Sequence, residues 1–169
     1  EVDHELGASL DYQLTIHLVL QRAIDVCNAS FGAIGIVVPD QGRLNVSYWQ
    51  GEISPTEIPS PGAEGLGTRN VIEWPMERGI VGRVARTGQP ALISDVRADP
   101  DYAAVADRTR AEVAVPIRRE GQVIGVLNLE SDRIAAFTQD HLHFLEHLAD
   151  HAGFAIEKAR AFEEERQRA

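Results

Sequence analysis

Five polar residues and a tyrosine cluster around two short stretches whose side chains can meet a ligand. In "GIVGRVARTGQP", residues 79–90, Arg83 and Arg86 lie three apart and so share roughly one side of a short helix. A guanidinium fork there can grip a carboxylate or phosphate; the competing reading is a solvated face paired with local acids. Asp95, Tyr102, Arg110 and Glu112 flank the irregular segment around "ADPDY". An anionic metabolite could meet Arg110 while Tyr102 stacks on its ring or lends a hydroxyl. Asp95 equally suits a turn that it folds itself through side-chain to backbone bonds. Trp74, beside Pro75, is a candidate lid, against core packing as the alternative for both Trp74 and Trp49.

Chemistry beyond binding finds little support. His143, His147 and His151 recur every fourth residue, but successive members rotate by ~40° around a helix, so three ligands to one ion are poorly placed. No metal site is assigned. Nothing resembling a nucleophile, base and orienter occurs in one motif, so no catalytic residue is assigned either. Cys27 is the only cysteine, which excludes an intrachain disulfide and a dithiol cycle within one chain.

Composition narrows the classes further. The chain has 169 residues, 44% hydrophobic and 25% charged, as expected for one globular domain. Twenty-six acidic residues against 16 basic give a net charge of −10, which repels the phosphate backbone of nucleic acid. No apolar run approaches the ~20 residues that span a bilayer, and no secretory leader opens the chain. A cytoplasmic location without membrane insertion is expected. The start at Glu1, with Met76 the sole methionine, reads as a processed chain or a segment of a longer protein.

These residues must be positioned by regular elements. Apolar periodicity predicts a helix from Leu10 to Ala29, with Ile16, Leu20, Ala23, Ile24 and Cys27 on one side and Leu14 and Leu18 well round the other. "GAIGIVVPD" and "GRLNVSYWQG" form a hairpin, and Ile53 to Pro75 is too broken by proline and glycine for long regular elements. A short helix over 79–88, a strand over 90–96 and a turn of helix over 103–107 come next. "AEVAVPIRREGQVIGVLNLES" is a second hairpin turning at "REGQ", with Pro116 implying an edge or bulge. Thr138 caps a last helix, 138–166. Antiparallel connections without βαβ alternation favour an α+β fold.

Three of these stretches, "GIVGRVARTGQPALISDVRADPDY", "AEVAVPIRREGQVIGVLNLES" and "FTQDHLHFLEHLADHAGFAIEKA", together resemble the GAF domain family in its own order. The resemblance implies one domain over 1–169 with a core at about 14–161. It implies a central antiparallel sheet of about six strands, terminal helices on one face, and a small-molecule pocket with loops and short helices on the other. Such modules sit in sensor histidine kinases, cyclases and transcription regulators, so an output domain joined through the last helix is expected. In the family the element from Gly79 to Gly88 is a pocket-side helix; it lacks the Gly-Lys-Ser/Thr ending of a phosphate loop.

The resemblance also supplies alternatives. Members that reduce free methionine sulfoxide resemble a cysteine relay, whereas only Cys27 is present, on a helix face that reads as buried. Bilin-binding members use a cysteine near the segment matching Tyr102 to Arg110, and haem-binding members a pocket histidine; neither is found here, and no resident cofactor is assigned. The cyclic-nucleotide signature is met only near its end, at Phe137 and Asp140. On the last helix Leu142, Leu145, Leu148, Ala149, Ala152, Ile156 and Ala159 form the stripe that covers the sheet. Phe144, His147, His151, Phe154 and Phe162 line another side and, with Leu14 and Leu18, are read as a homodimer interface. The expected function is a non-catalytic module that binds an unknown small molecule or a partner. The alternatives are a purely dimerising domain without ligand and, behind it, a free methionine sulfoxide reductase-like enzyme.

Overall fold

The computed structural model describes residues 2–51, 72–103 and 108–168. The elements run α1 (Val2–Cys27), β1 (Phe31–Val38), β2 (Arg43–Gly51), β3 (Ile72–Pro75), α2 (Gly79–Thr87), β4 (Ala91–Ile93), a 3₁₀ turn (Val96–Ala98), β5 (Ala111–Arg119), β6 (Gln122–Ser131) and α3 (Gln139–Arg168). The strands form one open antiparallel sheet in the order β3-β2-β1-β6-β5-β4. This is the α+β architecture that the resemblance implied.

Local chemistry explains most boundaries. The two residues between β5 and β6, Glu120 and Gly121, have φ of 53° and 79°, the left-handed pair that a tight hairpin turn matching strand twist requires. Gly88 closes α2 at φ 70°, its N–H bonding the Val84 carbonyl oxygen, so the chain turns left-handed where a side chain would be strained. Thr138 caps α3 reciprocally. The His141 N–H donates to Thr138 Oγ1 at 3.1 Å, and the Thr138 N–H donates to His141 Nδ1 at 3.1 Å. Pro116 pairs with Val126 but lies beyond Ala91↔Ala114, where pairing with β4 ends, and next to the register shift between Ile117 and Arg118, the edge-like, bulged setting in which proline is tolerated in a strand.

Both faces of the sheet are covered. On one, α1 contributes Ile16, Leu20, Ala23 and Cys27, and α3 contributes Leu142, Leu145, Ala149, Ala152 and Ile156. They pack on Ile34, Val113, Val115, Ile117, Leu127 and Leu129. On the other, α2 lays Ile80, Val84 and Ala85 against Leu44, Ala114 and Val126, with Trp74 and Val96 beside them. β5, and β6 from Gly125 onward, therefore alternate, odd-numbered residues under the helices and even-numbered ones toward α2, as the period of two demands; before Gly125 the even-numbered Ile124 lies on the helix side. Being buried on both sides, they read as nearly continuous apolar runs.

Several expectations are refined. α1 begins at Val2 rather than Leu10. The broken stretch 53–75 ends in the four-residue edge strand β3, where Leu44 pairs with Trp74; residues 52–71 lie outside the described part. The strand expected over 90–96 is only Ala91–Ile93, because the Asp95 side chain accepts the Arg97 N–H at 3.1 Å and starts the 3₁₀ turn instead. Of the helical turn expected over 103–107, residues 104–107 fall outside the described part. Among the described residues no helix is long and apolar enough to cross a membrane.

Candidate functional site

A cavity of about 70 Å³ opens on the α2 face, room for roughly five waters at ~10–15 Å³ each. Its walls are mostly apolar. β1 supplies Phe31, Ala33 and Gly35, β3 supplies Ile72 and Trp74, and α2 supplies Ile80 and Val81. The polar exceptions come from the β5–β6 hairpin: Glu112, Asn128 and Glu130. All three are buried, at 4%, 7% and 3% exposure.

Register brings the two acids together. Glu112 and Glu130 are direct partners across β5 and β6, so their side chains leave the sheet on the same face. A β-bulge decides this. From the turn, Arg119 pairs with Gln122 and Arg118 with Val123; then Ile124 is passed over and Ile117 pairs with Gly125. Without that extra residue Glu112 would oppose Leu129, whose side chain packs under the helices.

The apolar surroundings act on both carboxyls. Burial pushes Glu130 up to about 7 from the ordinary 4.5. Glu112 is raised well above the usual carboxylate range, first by burial, then by the like charge of Glu130 and that of Asp99, while Arg83 pulls it back. The Asn128 Oδ1 is buried without a hydrogen-bond partner, an acceptor whose unmet bond costs ~1–3 kcal/mol. The polar wall thus offers oxygen acceptors to any guest.

Of the seven residues singled out from the sequence, Trp74 and Glu112 line the cavity. Trp74 is held by a hydrogen bond from its Nε1 to the Arg78 carbonyl oxygen at 2.9 Å, with the Arg78 guanidinium 4.5 Å over its ring. Arg83 instead reaches out of α2 to Asp99, at 3.0 and 3.1 Å, and to Asp101 at 2.8 Å, and so ties α2 to the segment behind the 3₁₀ turn. Asp99 is held below its ordinary value chiefly by that hydrogen bond. Asp95 folds its own turn, accepting Arg97 Nε at 3.0 Å and Nη2 at 2.9 Å. Tyr102 is half-buried against the α2-side core, and Arg110 donates to the Thr109 carbonyl oxygen at 3.0 Å. Arg86 donates to the Met76 carbonyl oxygen.

Asn128 and Glu130 were not singled out. Their signal is two polar residues at i and i+2 in the otherwise apolar run "VIGVLNLES", which places both on one face of a buried strand.

Elsewhere, Leu14, Leu18 and Phe154 are exposed, at 54%, 55% and 62%. His147 and His151 are also exposed, and Phe162 is half-buried. Phe144 is half-buried against the helix-side core, unlike Phe154, over which Arg119 stacks at 4.0 Å. Cys27 is buried in the helix-side core, across the sheet from the cavity, and burial pushes its thiol up to about 11. Among the described residues no group of three or more His, Cys, Asp or Glu is placed to hold a metal ion.

Comparison with known proteins agrees with this architecture. The chain is 28% identical over 181 residues to a Nif-specific regulatory protein of Azospirillum brasilense, an alignment covering 99% of this chain and 26% of that protein. It is 31% identical over 90 residues to Protein YtsP of Bacillus subtilis (strain 168), covering 53% of each. The chain therefore spans only part of these relatives' lengths. Among solved structures, a free methionine-R-sulfoxide reductase from Neisseria meningitidis superposes with a TM-score of 0.72 at 22% identity, covering 93% of this chain and 86% of the other. The GAF domain of an Acinetobacter phosphoenolpyruvate-protein phosphotransferase gives 0.72 at 15% identity, covering 95% and 94%. At these identities the likeness is one of fold. The GAF domain model matches residues 9–157, and the chain belongs to the GAF domain family.

Proposed function

We propose that this chain is a small-molecule-sensing regulatory module of a longer signalling protein, its ligand an apolar body carrying a cationic nitrogen or a cluster of hydrogen-bond donors. The observation that carries this reading is the acceptor wall of Glu112, Asn128 and Glu130 set into an otherwise apolar cavity. Oxygen acceptors call for donors, and buried carboxyls favour positive charge over the anionic metabolite that Arg110 had invited. Arg83, engaged by Asp99 and Asp101, braces the pocket-side helix in this reading.

The relay follows from the sheet. β5 and β6 carry cavity-facing and helix-facing residues alternately, so a ligand that shifts Glu112 or Glu130 also shifts Val113 and Leu129 beneath α1 and α3. Those helices then bias an attached output domain by population shift. The exposed Leu14, Leu18 and Phe154 favour a homodimer through the same helices, and α3, running to Arg168, serves as the linker.

The likeness to a sulfoxide reductase raises an enzymatic alternative. The position of Cys27, across the sheet from the cavity and with its thiol proton strongly held, weighs against a cysteine relay there.

The test is a thermal-shift screen of small amines and their neutral counterparts, with mass spectrometry of compounds released from the purified chain. Amines are expected to raise the melting temperature of the wild type and to lose that effect in the Glu112→Gln, Glu130→Gln double variant. Equal response of both proteins to every stabilising compound would refute the reading.

A further inference from the structure

We infer that the Glu112–Glu130 pair gives up a proton when an ammonium-bearing ligand enters, so that occupancy of the cavity is governed by pH as well as by ligand concentration. This rests on the pocket reading above and adds its regulation.

Geometry carries the argument. The two glutamates are direct cross-strand partners and are 4% and 3% exposed. Carboxyls so placed stand ~5 Å apart at Cβ. Two negative charges at that distance between apolar walls repel strongly, so the two carboxyls do not both ionise in the neutral range. The groups that face them do not cancel this. From α2 comes Arg83, whose guanidinium is bound by Asp99 and Asp101. From the segment after the 3₁₀ turn, Asp99 adds negative field at Glu112, against the partial relief of Arg83. Arg110, just before β5, donates to the Thr109 carbonyl oxygen. β1 presents Phe31 and Ala33, and β3 presents Trp74, none of them titratable near neutrality. Burial outweighs the lowering of Glu130 by the Thr109 side chain and holds it protonated up to about 7.

The exchange balances simply. Below about 7 the empty pair holds both protons and is neutral. On binding, the Glu130 carboxyl O–H bond breaks heterolytically, the proton passes to solvent buffer, and the resulting carboxylate faces the ammonium while Glu112 keeps its proton. The site is again neutral, and no oxidant or co-reactant is needed. A neutral ligand of the same shape releases no proton.

The experiment titrates the purified chain with n-butylammonium chloride and, separately, 1-butanol at pH 5.5, 6.5 and 7.5, following cavity residues by NMR. The glutamate carboxyl carbons are also titrated in the ligand-free protein. Expected is a dissociation constant for butylammonium that falls roughly tenfold per pH unit up to about 7, a butanol constant independent of pH, and loss of the amine's slope in Glu130→Gln. Amine binding of equal strength at pH 5.5 and 7.5, or free carboxyls that both titrate at the ordinary 4.5, would overturn the exchange and leave the pocket standing. If neither probe moves a cavity residue at any pH, the pocket reading falls, and the exchange with it.

Discussion

Replacing Glu130 with glutamine should make this domain more stable in mild base, an unusual direction for a buried-site substitution. The folded state raises Glu130 from 4.5 to about 7 by burial. A raised carboxyl binds its proton more tightly when folded, so its contribution is fully present below 4.5 and is lost as pH rises through about 7. At ~1.4 kcal/mol per pH unit the loss is ~3 kcal/mol. Glutamine has the same shape and no charge, and it also removes the negative neighbour that helps to raise Glu112, which acts in the same direction. The assay is urea unfolding at pH 5 and pH 8, followed by fluorescence of the buried Trp49 and Trp74. Any mismatch of the amide is common to both pH values, so the difference of differences isolates the titration. Between pH 5 and 8 the wild type should lose ~3 kcal/mol more than Glu130→Gln, or ~6–12 °C in Tm for a chain of this size. A gap that does not change with pH would refute the reasoning.

Other expectations are as direct. Arg83→Ala should cost ~1–2 kcal/mol in urea, since it leaves Asp99, whose side chain is 12% exposed, without its bidentate partner; an unchanged midpoint would mean that the clamp does not hold α2. Gly88→Ala should cost ~1 kcal/mol by thermal melting, because φ 70° is strained for any side chain. Leu14→Glu with Phe154→Glu should convert a dimer to a monomer in sedimentation velocity at tens of micromolar, without loss of helicity; a wild type that is already monomeric at high micromolar concentration would count against the interface. Incubation with free methionine sulfoxide and a dithiol should give no turnover that Cys27→Ser abolishes, and Cys27-dependent turnover would restore the enzymatic alternative.

How far the sequence reads toward this structure depends on what each element answers to. The terminal helices carry a clear 3.6-residue stripe, and Ile16, Leu20, Leu142, Leu145 and Ile156 lie buried where periodicity placed them. The β5–β6 hairpin is legible from "REGQ" because turn chemistry is local. The first eight residues of α1 are not: Gly7 interrupts them and they show no apolar stripe. β3 is hidden because its four residues pair only as an edge strand and end on Pro75. The site is half legible. Glu112 stands out beside an irregular segment, but its partner depends on a bulge at Ile124, and counting back from the turn would set Leu129 opposite it. Arg83 shows the converse limit: spacing marks it as a ligand grip, and only the path of the chain through Asp99 and Asp101 reveals an internal pair.

The alternation along β5 and along β6 from Gly125 onward separates two kinds of mutational freedom. Even-numbered positions there can be rewritten to suit a new guest, acid to amide or valine to serine, while the odd-numbered neighbours that seat the long helices stay untouched. Chemical tuning and mechanical coupling are thus encoded in adjacent letters of one strand and can diverge independently by point change. A single-residue insertion or deletion between the bulge and the acids would scramble both at once, setting carboxyls beneath α1 and α3 and leucines in the cavity.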